Sequence, residues 1–229
     1  MKPKFLSFVL AALAVPFLIW SHSTAAQAGA CRTYSIRQVG QMTSSNGMMT
    51  GRTEQNCTPY NRSTNSVRCT LTHTGGTGNL TQTVTGYFKS VSDFVDEVRV
   101  VPPLMRMTRQ EMGAQPAQST LDIFYDGQGR PARSVLTSST GVQNSQFAGW
   151  DKEGRYTDVT ISSAMAPTER VTYSYDDAAR TMTITNKRIG FTGVYTHDEN
   201  GILIKSVTTD ASGQRTLVVT IGSTDKICK

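Results

Sequence analysis

A turn motif recurs four times in the C-terminal half of this chain and constrains the fold more than any other feature. In each copy an aromatic residue or a histidine precedes an aspartate, and a small residue follows the aspartate three positions later. The aspartates are Asp126, Asp151, Asp176 and Asp198, and the small residues are Gly129, Gly154, Ala179 and Gly201. The aspartates are spaced by 25, 25 and 22 residues. Such regular spacing indicates a repeated structural unit.

The motif predicts the tip of a β-hairpin. An aspartate at the first position of a type I turn accepts hydrogen bonds from the backbone N–H groups that follow it, and a glycine takes the positive φ that other residues resist. Ala179 replaces the glycine in the third copy, so we expect that turn to be strained or of another type. Additional turn signals lie between the motifs. Residues 121–221 are therefore predicted to form an antiparallel meander of about eight strands.

Alternating residues within these segments predict one dry and one wet face of the sheet. In the segment RTMTIT, Met182 and Ile184 alternate with threonines. Side chains alternate across a strand, so the two apolar residues would face a core while the threonines face water.

The N-terminal half contains similar short strands and one helix. Asn46-Gly47 is a strong hairpin signal. From residue 90 to residue 101 the apolar residues change to helical spacing, and Pro102 and Pro103 end the pattern. The next segment, LMRMTRQEMGAQPAQS, is interpreted as a helical turn or linker. The predicted fold class is all-β, mostly an antiparallel meander or hairpin array, with one short α-helix near residues 90–101.

The first residues have the pattern of an export signal. A basic start, Met1–Lys4, precedes an apolar run over residues 5–20 and a stretch of small residues. We predict cleavage after Ala28. An uncleaved membrane anchor and a lipoprotein acylated at Cys31 are the alternatives.

The chain is accordingly divided into three regions. The predicted organisation is a signal peptide at 1–28, an N-terminal β region with the short helix at 29–110, and hairpin repeats at 121–221 that pack on it as one globular unit. No transmembrane segment is expected after cleavage of the signal.

The cysteines indicate disulfides and an oxidising compartment. Cys31, Cys57, Cys69 and Cys228 all remain in the exported chain, and an even count implies two bridges. Cys57 and Cys69 flank a polar, turn-rich loop, so we pair them as the closure of a hairpin, which leaves Cys31 and Cys228 to join the termini. A zinc site is the alternative, but the sequence has no Cys-x-x-Cys spacing. The expected localisation is periplasmic or secreted.

The charge of the chain permits attraction to anionic surfaces without indicating nucleic acid. The formal net charge is +6, and removal of Lys2 and Lys4 with the signal peptide leaves +4. The basic residues are spread along the chain rather than clustered, so no nucleic-acid partner is predicted. The sequence does not indicate an oligomeric state.

The motif copies carry a resemblance to a known family. The segments FYDGQGRP, GWDKEGRY and SYDDAARTM resemble the tyrosine-aspartate (YD) repeats of Rhs and teneurin proteins. In that family the repeats form long β-sheets that enclose a cargo or present binding surfaces. Four copies are too few to enclose a cargo, and Ile202 stands in the fourth copy where the family has arginine. The resemblance therefore implies hairpin architecture and a binding role.

Few residues of the exported chain suit catalysis. Its histidines are His73 and His197, and His197 occupies the position of an aromatic residue in the other copies, which indicates packing. The turn aspartates do not supply the roughly six oxygens that calcium needs. We predict no cofactor and no metal. A Cu(I) site formed by the thioethers of Met105, Met107 and Met112 is the alternative.

The favoured hypothesis is a non-enzymatic binding or structural module of the cell envelope or extracellular space. It would use the polar sheet face of the repeats to bind a glycan or an envelope protein, with Arg130, Arg155 and Arg180 as candidate ligand-binding residues. The alternatives are a secreted hydrolase with a site near His73 and a periplasmic copper-handling protein.

Overall fold

The computed structural model describes residues 31–75, 80–95, 104–112, 117–139, 141–164 and 166–229. Fourteen strands and one short helix occupy these residues, together with one turn of 3₁₀ helix at Lys187–Ile189. The elements are β1 (Cys31–Ser44), β2 (Met49–Cys57), β3 (Ser66–Thr74), β4 (Leu80–Phe88), α1 (Val91–Val95), β5 (Leu104–Met112), β6 (Ala117–Tyr125), β7 (Pro131–Ser138), β8 (Gly141–Trp150), β9 (Tyr156–Ser163), β10 (Ala166–Asp176), β11 (Thr181–Asn186), β12 (Phe191–His197), β13 (Leu203–Asp210) and β14 (Gly213–Cys228). The predicted signal peptide lies outside the described residues.

The strands form one closed antiparallel barrel. Each strand pairs with its neighbours in sequence, and β1 pairs with β14 to close the sheet. The register of this closing pair runs from Cys31 opposite Cys228 to Ser44 opposite Arg215. The predicted all-β fold with antiparallel pairing is confirmed. Closure of the sheet was not part of the prediction, which was a meander or hairpin array.

The predicted linker between the two halves is wrong. Residues 104–112 form β5, which pairs with β4 on one side and with β6 on the other. Neighbouring strands on both sides satisfy the backbone hydrogen bonds of β5, and this pairing outweighs the helix-forming residues of the segment. The N-terminal region and the hairpin repeats are therefore parts of a single sheet.

The predicted helix is present in its first turn. Helix α1 begins after Ser90, whose hydroxyl accepts a hydrogen bond from the backbone N–H of Asp93 at 3.2 Å, as an N-cap residue does. Phe94 and Val95 are buried. Residues 96–101 of the predicted helix lie outside the described residues.

Connections of an antiparallel meander alternate between the two ends of the barrel. One end, called here the motif end, carries the four motif turns, the loop between β2 and β3, and α1. The first residue of β1 and the last residue of β14 also lie at this end. Because β1 starts and β14 finishes at this end, the Cys31–Cys228 disulfide lies there as well.

Two apolar clusters fill the inner face of the barrel. The cluster of the N-terminal half contains Tyr34, Tyr60, Val67, Cys69, Val84, Phe88, Phe94, Val95, Ile123 and Ile227. The cluster of the C-terminal half contains Tyr156, Val159, Val171, Met182, Ile184, Phe191, Tyr195 and Leu203. Met182 and Ile184 are buried while the threonines between them are not, so the predicted alternation of β11 is confirmed.

Two groups of buried polar residues satisfy each other within the barrel. The side-chain amide of Gln38 donates to Gln55 Oε1 at 3.1 Å. Glu169 accepts a hydrogen bond from Asn186 Nδ2 at 2.7 Å and forms an ion pair with Arg188. These contacts satisfy groups that would otherwise be costly to bury.

Both disulfides have the pairing expected from the sequence. Cys31 bonds Cys228 across the closing strands, and Cys57 bonds Cys69 across β2 and β3. The sulfur of Cys31 is thus occupied, which removes acylated Cys31 from the alternatives. The two bridges also indicate an oxidising compartment.

We expect the two disulfides to stabilise the fold unequally. They join residues 197 and 12 positions apart, and the unfolded chain loses more entropy when the longer loop is closed. The Cys31→Ala/Cys228→Ala variant should lose about 5 kcal/mol of unfolding free energy, and the Cys57→Ala/Cys69→Ala variant about 3 kcal/mol. Urea denaturation without reductant measures both. An equal or larger loss for the second variant would contradict the expectation.

Candidate functional site

The motif aspartates hold their turns through the backbone. Asp126 Oδ1 accepts hydrogen bonds from the backbone N–H groups of Gln128 and Arg130 at 2.8 and 2.9 Å. Gly129 has a φ of +70°, the left-handed conformation in which a side chain would be strained. The same pattern recurs at Asp151 and Asp198. This is the geometry that the motif requires of a type I turn followed by a left-handed residue.

The third motif turn differs because alanine replaces glycine. Asp176 Oδ1 accepts from the backbone N–H of Ala179 at 2.9 Å. The positive φ, +53°, falls on Arg180 instead. Arg180 N–H donates to the carbonyl of Asp177 at 3.3 Å, so the turn is of another type, the second of the two outcomes expected from the sequence.

Two motif arginines join each turn to the next repeat. Arg130 forms an ion pair with Asp126 at 2.8 Å and lies over the ring of Trp150, 4.8 Å from its centroid. Arg155 repeats this with Asp151 at 2.6 Å and with the ring of Tyr175 at 4.3 Å. The aromatic residues of the second and third motifs, Trp150 and Tyr175, are therefore the platforms for the arginines of the motifs before them.

Arg155 is placed differently from a surface ligand-binding residue. Only 5% of the residue is exposed, and its guanidinium also donates to Asp177 at 3.1 Å. Three carboxylates, those of Asp151, Glu153 and Asp177, surround it. The prediction that Arg155 binds a ligand therefore conflicts with its burial, because its hydrogen bonds are made within the protein. For Arg130 and the exposed Arg180, ligand binding stays a prediction.

Replacement of Arg155 should destabilise the fold. Arg155→Ala leaves three carboxylates close together and removes the contact with Tyr175, which should cost about 2 to 4 kcal/mol of unfolding free energy. Arg180→Ala is the matched control, because Arg180 is exposed, and its cost should stay within about 0.5 kcal/mol. Chemical denaturation of both variants measures the difference. Equal stability of the two would contradict the structural role of Arg155.

The Asp126 carboxylate should make stability depend on acid pH. The backbone N–H of Arg130 donates to the ionised form, and this lowers the pKa of Asp126 from its ordinary value of 3.8. A lowered folded pKa stabilises the fold above the unfolded pKa, and this contribution is lost as the pH falls through the folded pKa. The difference in melting temperature between wild type and Asp126→Asn should be constant at neutral pH and shrink below about pH 4. A difference that is unchanged down to pH 2 would contradict this assignment.

The two histidines have different surroundings. His197 is 3% exposed, and its backbone N–H donates to the carbonyl of Arg180. His73 is half-buried, and its ring lies against Gly51, where an added Cβ would come within 3.0 Å of Cε1. Within the described ranges, no carboxylate forms a hydrogen bond with His73. The hydrolase hypothesis thus has no oriented base at this position.

The structure gives no support to a metal site. Among the residues that it describes, no three His, Cys, Asp or Glu side chains come together as a metal-binding group. The side chains of Met105, Met107 and Met112 lie outside the described part of the chain, so the copper hypothesis stays a prediction. Over the same described ranges, no helix has the length and apolar character needed to cross a membrane.

Two aromatic rings are exposed on the outer face near the motif end. Tyr87 of β4 is 36% exposed and Phe124 of β6 is 41% exposed. Arg106 of β5 lies between them, opposite Tyr87 on one side and Asp122 on the other. Arg133 of β7 is opposite Phe124. We call these five residues the aromatic–arginine patch.

The two arginines of the patch are held in different ways. Arg106 Nε donates to Asp122 Oδ1 at 2.6 Å, so its charge is paired. The guanidinium of Arg133 lies over the ring of Phe124, 3.7 Å from the centroid. Within the part of the chain that the structure describes, no carboxylate contacts Arg133. Arg133 is exposed, so the patch presents one unpaired, oriented cation.

Rows of hydroxyl groups border the patch. Because adjacent strands are about 4.8 Å apart, residues opposite each other on several strands form a row across the sheet. One such row beside the patch consists of Thr85, Thr108, Thr120 and Thr137. A second row, on the other half of the barrel, consists of Thr172, Thr185, Thr192 and Thr209. The outer face is thus rich in hydrogen-bonding groups, as the wet face predicted from the sequence requires.

Sequence reasoning missed the patch. The aspartate motif drew attention to Tyr125, whereas the exposed ring is that of its neighbour Phe124. The alternation of side chains along β6 could have indicated it. Ile123 and Tyr125 face the core, so Phe124, which lies between them, is an aromatic residue on the outer face. The cation opposite it depends on the register of β6 and β7, which the sequence does not contain.

Comparison with known proteins identifies no family. No family model matches the chain, and no curated protein matches it. A β-barrel-like protein of domain of unknown function DUF1849 from Brucella abortus is similar in structure, with a TM-score of 0.43 and 9% identity over 88% of this chain and 99% of that chain. A porin-like protein from Bacteroides uniformis has a TM-score of 0.37 and 10% identity over 82% of this chain and 97% of that chain. Similarity at this level assigns neither family nor function.

Proposed function

We propose that this chain is an exported, non-enzymatic binding protein that holds a glycan on the outer face of its barrel, at the aromatic–arginine patch. The observation that carries the proposal is the exposure of two aromatic side chains, Tyr87 and Phe124, on the outer face of β4 and β6. The two disulfides support export to the periplasm or the extracellular space.

The arrangement of the rings suits a sugar chain. Tyr87 and Phe124 lie two strands apart, a separation of about 10 Å across the sheet. A sugar ring has an apolar face of C–H groups and an edge of hydroxyl groups, so it can stack on an aromatic ring while its edge reaches polar neighbours. Arg106, Arg133 and the adjacent threonine row supply those neighbours. A ligand site of this kind combines apolar contact area with a few oriented polar groups.

The composition of the patch favours a glycan over a protein partner. Protein interfaces are built around a contiguous, well-packed apolar centre. In this patch an ion pair, Arg106 with Asp122, separates the two exposed rings. The two rings are therefore separated from each other by polar groups, as separate sugar units require.

The barrel also supports binding by rigid placement. The patch residues lie on strands β4 to β7, each of which is paired on both sides. The backbone of a strand paired on both sides does not have to be ordered when a ligand binds, which favours affinity.

Substitution of the exposed rings should weaken glycan binding without unfolding the protein. Phe124→Ala and Tyr87→Ala should each reduce affinity about tenfold, which corresponds to about 1.4 kcal/mol of lost contact. Val142→Ala is the control, because Val142 is 47% exposed on the outer face of β8 but lies outside the patch. Affinity electrophoresis and retention on a panel of immobilised neutral and acidic polysaccharides provide the measurement.

Two results would contradict the proposed function. One is equal retention of wild type and Phe124→Ala on every polysaccharide that binds. The other is retention only by envelope proteins and by no polysaccharide, which would assign the surface to a protein partner instead.

A further inference from the structure

A row of polar side chains continues from Phe124 across the outer face of the barrel. The pairing register places Phe124 opposite Arg133, Arg133 opposite Gln146, Gln146 opposite Thr160 and Thr160 opposite Arg170. We call these five residues the recognition row. It crosses β6 to β10, which makes it about 19 Å long at the strand spacing of a β-sheet.

The residues of the recognition row differ in chemistry along its length. Phe124 offers an exposed ring, Gln146 an exposed amide, and Thr160 a hydroxyl. Arg170 donates to Asp158 at 2.6 Å, so its charge is paired within the protein. Arg133 is the cation of the row whose guanidinium contacts a ring rather than a carboxylate among the described residues.

We propose that the ligand is an acidic polysaccharide that lies across the strands along the recognition row, with a carboxylate of one sugar bound by Arg133. This inference rests on the proposed function, since it names the ligand class and the direction of the same site. A guanidinium matches a carboxylate with two parallel hydrogen bonds. The guanidinium carbon of Arg133 lies 3.7 Å from the centroid of the Phe124 ring, and this contact holds the cation within the row.

The charges of the neighbouring residues agree with an anionic ligand. The carboxylates next to the row, Asp122 and Asp158, are each paired with an arginine. Within the recognition row and its two neighbouring carboxylates, a bound carboxylate therefore meets one unpaired cation and no unpaired anion. The net charge of +4 that remains without Lys2 and Lys4 has the same sign and would accelerate the approach of an acidic chain.

Polygalacturonate and its methyl ester provide matched probes, because they share a backbone and differ only in the charge of the carboxyl group. Wild type should bind polygalacturonate at least tenfold more tightly than the ester at physiological salt. Arg133→Ala should bind both at the level of the ester, and Arg133→Lys should recover only part of the preference. The control Arg52→Ala removes an exposed arginine of β2 that lies far from the row and should bind as wild type does.

The direction of the ligand is tested by two neighbouring residues of β8. Gln146 belongs to the recognition row, whereas Asn144 is exposed on the same face two residues away, opposite Val135. Gln146→Ala should weaken binding several-fold and Asn144→Ala should not. With galacturonate oligomers of increasing length, affinity should rise until the row is filled and then remain constant.

The outcomes separate this inference from the proposed function. If polygalacturonate and its methyl ester bind equally, and Phe124→Ala weakens the binding of both, the proposed glycan site is supported and the proposed preference for an acidic ligand is wrong. If acid binding is lost to the same degree in Arg133→Ala and Arg52→Ala, the preference is general charge attraction and the row is wrong. If neither polymer nor any other polysaccharide binds, both proposals are wrong. Unchanged near-ultraviolet circular dichroism and unfolding midpoints of the variants show that each has folded.

Discussion

The pairing of β1 with β14 is the interaction on which the rest of this structure depends. An open antiparallel sheet of this size would leave two edge strands with unpaired backbone groups and a face without a partner. Pairing of the first and last strands satisfies those groups, and the Cys31–Cys228 disulfide holds the pair at its first residue. Once the sheet is closed, alternation along every strand divides the side chains between an enclosed inner face and an outer face in water.

The repeated motif serves this closure at one end of the barrel. Each aspartate organises its own turn through backbone hydrogen bonds, and two of the arginines reach the aromatic ring of the next motif. The turns are therefore coupled to one another as well as to their own strands. Arg155 shows this coupling most clearly. Its guanidinium forms ion pairs with Asp151 of its own turn and with Asp177 of the next turn, so it is bound within the protein.

The candidate binding surface consists of residues that stand out only when neighbouring strands are compared. Tyr87, Phe124 and Arg133 occupy ordinary outer positions of three different strands. Register places the cation over the ring and continues the row toward β10. Because these strands are fixed by pairing on both sides, the surface is preorganised, and the binding energy is not spent on ordering loops.

Much of the fold could be predicted from the sequence, because it is encoded locally. The aspartate and glycine spacing specifies hairpin turns through backbone conformation, the alternation in β11 specifies its buried side, and the cysteine positions allow the observed pairing. Prediction from the sequence was wrong where local and tertiary preferences disagree. Residues 104–112 have helix-forming side chains, yet they form β5 because β4 and β6 supply partners on both sides.

The sequence by itself thus determined the class of fold, the motif turns and the presence of disulfides, since each depends on residues close together in the chain or on the chemistry of single residue types. Only the tertiary structure decided the closure of the barrel, the burial of Arg155 and the meeting of Phe124 with Arg133. These depend on which strands are neighbours and in what register. A shift of one residue would move every side chain of a strand to the other face, so the site exists only in the closed and registered sheet.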